Sequence, residues 1–181
     1  MFRRLDRWRL WQLQALDALI NGLSVVVCIL LLPMRLPGME ILGIGPHWAL
    51  IWVVSWSVKR TVFQGAIAGA MLGLLQDSLT RGEPSNVWGL MLAGILTARL
   101  QKQKYIQEDI ISQPLIVFGM AILNETVMAL QYTILGVRPV EAIWQDHQRI
   151  ALATAILSSL WSPAVYLPLS AWWKKMAELQ Q

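Results

Sequence analysis

Six stretches of the chain are apolar almost without interruption, and short polar or proline- and glycine-bearing segments separate them. A helix needs about 20 apolar residues, with a range of roughly 17–25, to cross the hydrocarbon core of a bilayer. The first stretch covers residues 16–32 and stops at Pro33. The second, 46–58, is short by itself. The apolar MEILGIG precedes it, and Gly43, Gly45 and Pro46 predict a kinked or re-entrant approach. The third covers 62–79, and the fourth, 86–100, is again short. The fifth covers 113–135, with Ser112 placed to cap it, Pro114 in its first turn, and Gly136 and Pro139 to end it. The sixth covers 149–173, with kinks predicted at Pro163 and Pro168. The pattern predicts an all-α integral membrane protein, a single membrane domain over 1–181 with six transmembrane helices. The connecting segments are too short to fold as a domain outside the bilayer.

Charge gives that pattern a direction. Arg3, Arg4, Arg7, Arg9, Lys59, Arg60, Arg99, Lys102, Lys104, Lys174 and Lys175 fall on one side of the predicted spans, eleven of the fifteen basic residues. Arg35, Arg81, Arg138 and Arg149 fall on the other. The positive-inside rule puts the richer side, with both termini, in the cytoplasm. An even number of spans satisfies this independently. Tryptophans mark the same boundaries: Trp8, Trp11, Trp172 and Trp173 inside, and Trp48, Trp88 and Trp144 outside. Trp48, Trp52 and Trp56 recur every fourth residue and line one side of the second helix. They read as a lipid-facing or packing stripe, or as an aromatic ligand wall.

Composition agrees with a membrane protein: 56% hydrophobic residues, 14% charged, and a mean hydropathy of +0.49. The net charge of +4 is spread in short runs between apolar segments, so no nucleic-acid partner is expected. The lone Cys28 excludes a disulfide within the chain. The basic N-terminal arm leads into an apolar run ending in LLPMRLPG, without a small-residue cleavage site, which predicts a retained first span.

Within the third span, GAIAGAMLGLLQD sets Gly65, Gly69, Gly73 and Asp77 at steps of four, all on one helical face. Each glycine costs a helix roughly 1 kcal/mol relative to alanine. In lipid, small residues allow backbones to approach closely, and close packing drives helix association. The stripe, broadened by Ala68 and Ala70, therefore predicts a packing face, closed either by another span of this chain or by a partner protein, or else a pocket wall. Asp77 ends the stripe near the outer boundary. It is expected to be solvated there, or to accept hydrogen bonds from the following TRGEPSN, with Arg81 as a partner.

Asn124 and Glu125 lie in the middle of the fifth span. An ionised carboxylate there costs about 2.5–3.5 kcal/mol on insertion scales, and no Lys or Arg lies at that depth. Glu125 is expected to be buried inside the bundle and protonated, as an interhelical hydrogen-bond partner or as a proton or ligand site. Asp17 and Asn21 share a face of the first span, with Asp17 near the hydrated boundary. No zinc, nucleophile-elbow or phosphate-loop motif occurs. His47 and His147 are expected at the outer surface, with no metal between them. No enzymatic activity and no cofactor are predicted. The two halves of the chain show no internal repeat of the kind many transporters carry.

The segment GAIAGAMLGLLQDSLTRGEPSNVWGLMLAGILTARLQKQ resembles the centre of the rod shape-determining MreD family. In that family a glycine-spaced third helix ends in Asp, a short outer loop follows, and a glycine-containing fourth helix ends in basic residues. The counterparts here are Gly65, Gly69, Gly73 and Asp77, then Pro84 and Gly89, then Arg99 and Lys102. TAILSSLWSPAVYLPLSAWWKK, with Pro163 and Tyr166, is similar to the family's last helix. The resemblance implies a non-enzymatic scaffold in the cell-elongation machinery of the bacterial cytoplasmic membrane, able to form homo-oligomers. It implies association with MreC, and through it with RodA, a class B penicillin-binding protein and MreB. It also implies a bundle like the substrate-binding components of energy-coupling-factor vitamin transporters. That likeness supplies the alternative function, vitamin binding near Asp77, Trp48 and Trp88.

Overall fold

A computed structural model describes residues 2–34, 38–41, 43–80, 84–102, 112–136 and 138–179, with the side chains of 2–10, 101 and 102 outside that description. Six helices follow in order: α1 (Phe2–Leu31), α2 (Trp48–Ser57), α3 (Val62–Thr80), α4 (Asn86–Lys102), α5 (Ser112–Leu135) and α6 (Val140–Leu179). Each predicted apolar stretch contains a helix. Trp11–Leu31, Ser112–Leu135 and Val140–Leu179 are long and apolar enough to cross a membrane, by length and composition. At 1.5 Å per residue the 10 residues of α2 extend only about 15 Å, half of a hydrocarbon core.

α2 is nevertheless the centre of the molecule. It touches each of the other five helices. Ala49, Leu50, Ile51, Val53 and Val54 are fully buried, and even the two polar residues Ser55 and Ser57 are enclosed. A helix apolar on every side belongs inside a protein or a membrane. α2 satisfies that requirement by being wrapped in other helices. The segment before it, predicted to be kinked, is non-helical. Ile41 and Ile44 exchange both backbone hydrogen bonds at 3.0 Å around Gly43, whose φ of 78° suits glycine. His47 then starts the helix: its Nδ1 accepts from the Leu50 N–H at 3.1 Å, and its own N–H donates to Ser158 Oγ of α6 at 2.9 Å.

Two ends differ from the sequence expectation for a physical reason. α1 continues back to Phe2, because nothing in the polar arm breaks a helix once the apolar turns have nucleated it. α6 runs for 40 residues straight through Pro163 and Pro168. Pro163 has no N–H for the carbonyl of Ser159, and the Ser162 hydroxyl donates to that carbonyl at 3.0 Å instead. Gly136, at φ 63°, ends α5 as expected, its N–H donating to Tyr132 O. The turn from α2 to α3 holds a reciprocal cap: Gln64 N–H donates to Thr61 Oγ1 at 3.3 Å, and Thr61 N–H donates to Gln64 Oε1 at 3.1 Å.

Candidate functional site

The glycine stripe of α3 faces α4, and α4 occupies it. A Cβ built on Gly65 would lie 2.5 Å from the carbonyl oxygen of Gly94. One on Gly69 would run into the Leu90 carbonyl, and one on Gly73 would lie 2.5 Å from Val87 Cα. The contact is backbone against backbone along three turns. It is reciprocal at its tightest crossing, since a Cβ on Gly94 would meet the Gly65 carbonyl. Gly94 was not singled out from the sequence, although its spacing one turn from Leu90 along LMLAGIL carries the signal. Gly89 belongs to a different face: it approaches the side chain of Asn124 on α5.

Asp77 closes the far end of the same α3–α4 pair. Its Oδ2 accepts from Ser85 Oγ at 2.7 Å, and its Oδ1 accepts from both the backbone N–H and the side-chain amide of Asn86 at 2.8 Å. Asn86 is the first residue of α4, so an anionic carboxylate sits on the unpaired donors of that helix start. Ser85 adds a second cap, accepting from Val87 N–H at 3.2 Å, and Gln131 of α5 donates to the Ser85 carbonyl at 2.9 Å. The partners of Asp77 come from the loop that follows it. Arg81, the expected partner, lies outside the described residues, as do Arg35 and Lys104; the side chains of Arg3, Arg4, Arg7, Trp8, Arg9 and Lys102 are likewise outside the description.

In the Asn124–Glu125 pair, Asn124 is the buried member, at 1% exposure, and Glu125 is only partly buried. This corrects the expectation that the carboxyl is the one enclosed. Neighbouring residues point about 100° apart around a helix, so one of the two can face Gly89, and it is Asn124. The Asn124 amide donates to Glu125 Oε1 at 3.4 Å, while Asn124 Oδ1 is buried with no hydrogen-bond partner among the described residues. The histidines are also not free surface groups. His47 caps α2, and His147 lies edge-on to Trp144 at 5.4 Å and 3.5 Å from Thr126 Oγ1.

The tryptophan stripe of α2 packs inward and does not face lipid, because α2 is enclosed. Trp48 lies against Trp161 of α6 with ring centroids 6.2 Å apart, and Trp52 stacks on Trp56 at 5.8 Å. Among the described residues, the three members of the candidate outer pocket stand in different surroundings. The hollow touching Trp48 is lined by Leu31, Met34, Met39, Glu40 and Pro46 among others, Trp88 is 56% exposed, and Asp77 is engaged with α4. Indole N–H groups instead tie α1 to the bundle. Trp52 donates to Ser24 at 2.8 Å, Trp172 to Asp17 Oδ1 at 3.2 Å, and Trp173 to Asn21 Oδ1 at 3.0 Å.

A glycine-zipped helix pair ending in a carboxylate cap, around a buried short helix, is an architecture for holding a shape. Among the described residues no group of three or more His, Cys, Asp or Glu side chains is placed to hold a metal ion. Neither a curated protein nor a solved structure matches the chain. The family model for the rod shape-determining protein MreD matches residues 14–176. That match takes in all of α2 to α5 and most of α1 and α6, and by it the chain belongs to the MreD family of rod shape-determining membrane proteins.

Proposed function

We propose that the protein is a non-enzymatic scaffold of the bacterial cell-elongation machinery, crossing the cytoplasmic membrane six times with both termini inside. Family membership over residues 14–176 carries the reading, since that family acts in rod shape determination. On this reading α2 and the non-helical segment before it complete one crossing together. The partner is MreC, and through it the protein reaches RodA, a class B penicillin-binding protein and cytoplasmic MreB, so as to organise peptidoglycan synthesis.

The packing supports a scaffold in physical terms. Backbone contact along Gly65, Gly69 and Gly73 and the Asp77 cap leave α3 and α4 little freedom to move apart. Because α4 already occupies that stripe, a partner meets the outward rows of α1 and α3, where Leu19, Leu23, Phe63 and Leu74 are exposed. The test is affinity isolation of the C-terminally tagged protein from native membranes in mild detergent, with depletion of the protein in parallel. Recovery of MreC, and rounding of depleted cells, is the expected result. Recovery of a paired ATPase module without MreC, or normal rods after depletion, overturns the proposal.

A further inference from the structure

Two hollows adjoin at the end of the bundle that carries Lys59 and Arg60. The larger, about 420 Å³, is a groove between α1 and α3 floored by Trp52 and Trp56 of α2. Its volume is in the range of small-molecule sites. The smaller, about 230 Å³, is lined by Asp17, Trp56, Lys59, Arg60, Trp173 and Met176 among others. Asp17, Trp56 and Arg60 line both.

The groove has a direction. Asp17, Arg60 and Gln64 stand at one end; further along, Val25, Met71, Leu72 and Leu75 make it apolar. From Gln64 to Leu75 is 11 residues of α3, about 16 Å at 1.5 Å per residue. That is half of a ~30 Å hydrocarbon core, the depth of one leaflet. A transmembrane helix needs the full thickness, whereas one lipid needs this half. At the polar end the guanidinium of Arg60 lies over the Trp56 ring, 5.0 Å from its centroid. Arg60 has no carboxylate partner among the described residues, where Arg138–Asp146 is the ion pair found. Asp17 Oδ1 accepts from Trp172 Nε1 at 3.2 Å.

We propose that these joined hollows bind one amine-bearing phospholipid. Its phosphate lies on Arg60, its ammonium on Asp17, and an acyl chain lies along the groove between α1 and α3. An anion and a cation at one end of an apolar trough match a zwitterionic headgroup in both signs, and a fork of guanidinium donors suits phosphate. Asp17 supplies the selectivity: an anionic headgroup without an amine leaves that carboxylate unmatched beside a phosphate. This inference is independent of the scaffold reading and stands or falls without it.

The test is native mass spectrometry of the whole protein after exchange into detergent containing equal phosphatidylethanolamine and phosphatidylglycerol. The expected result is one retained phospholipid, with phosphatidylethanolamine favoured several-fold. Asp17→Asn is expected to abolish that preference while retaining lipid. Arg60→Ala is expected to lose at least tenfold in retention of both, and Arg60→Lys to recover most of it. Ala68→Trp, which fills the trough away from the charges, is expected to lose retention with an unchanged elution profile. Absence of a retained lipid in the wild type, or wild-type retention in either Arg60→Ala or Ala68→Trp, overturns the proposal. A photo-crosslinking residue at position 71 distinguishes the other occupant: a lipid-sized adduct in native membranes supports the site, and a protein adduct overturns it.

Discussion

Replacing Gly69 by alanine adds a single methyl group, and the α3–α4 contact predicts an outcome opposite to helix propensity. On the present backbone the new carbon would lie 2.6 Å from the carbonyl carbon of Leu90 and 2.7 Å from Met91 Cα. Ordinary contact begins at 3.4 Å, so the helices must separate by at least about 0.8 Å at this crossing. The obstructing atoms are backbone, and no change of rotamer relieves them. The separation also loosens Gly65 against Gly94 and Gly73 against Val87, where the same closeness holds. Overpacking of this kind costs about 1–3 kcal/mol, and the better propensity of alanine offsets up to ~1 kcal/mol. The expected net loss is about 0–2 kcal/mol, which leaves this variant about 1–3 kcal/mol less stable than one whose alanine meets nothing. Gly119 is the control: it lies within α5 and a Cβ there meets nothing within 4 Å, so Gly119→Ala is expected to be neutral or stabilising. Equilibrium unfolding in mixed micelles, followed by tryptophan fluorescence, measures both. A Gly69→Ala protein as stable as Gly119→Ala would refute the argument that close backbone approach requires the glycine.

Removal of the carboxylate in Asp77→Ala is expected to cost about 0.5–2 kcal/mol in the same assay, the usual worth of a helix N-cap, with Asp77→Asn retaining part of it. Gly89→Ala is expected to destabilise by driving a methyl into the Asn124 amide, and Asn124→Ala in the same chain is expected to recover most of that loss. Double replacement of Trp172 and Trp173 by phenylalanine removes two of the three indole bonds to α1. At about 0.6 kcal/mol per hydrogen bond in a membrane protein, amide exchange in α1 is expected to rise severalfold while exchange in α4 stays unchanged.

The helices were legible because unbroken apolar runs and their breakers are local properties. Gly136 and Pro139 mark the end of α5 in the sequence as they do in space. The glycine face was legible for the same reason, since steps of four lie on one side of any helix. Its occupant was not: whether Gly65 meets a span of this chain or another protein depends on how α4 returns. Asp77 illustrates the limit from the other side. The loop that supplies its donors was foreseen, but the capping of α4 by Ser85 and Asn86 depends on where that helix starts. Whether Trp48 and Trp52 face lipid or pack inward stayed open in the sequence, because α2 is apolar all round and carries no signature that separates the two. The passage of α6 through Pro163 was legible, a neighbouring serine replacing the missing hydrogen bond, but its extension back to Val140 was not, because Gln145, Asp146 and Gln148 interrupt the apolar run there.

The six helices are not held alike, and the difference bears on what the bundle can do. α3 and α4 meet through backbone, over a contact that a methyl group would break. α2 is buried against all its neighbours, so its position is set by packing from every side. α1 is attached differently: little of its apolar run is buried, and three indole N–H groups supply its polar contacts. Apolar contacts give little net drive to association in lipid, because the acyl chains are equally apolar. The polar bonds therefore carry more of the attachment of α1 than the size of the helix suggests. The groove beside it lies between α1 and α3. A rigid α2–α3–α4 centre with a lightly tethered first helix is the arrangement in which an occupant of that groove changes the position of α1 before it disturbs anything else.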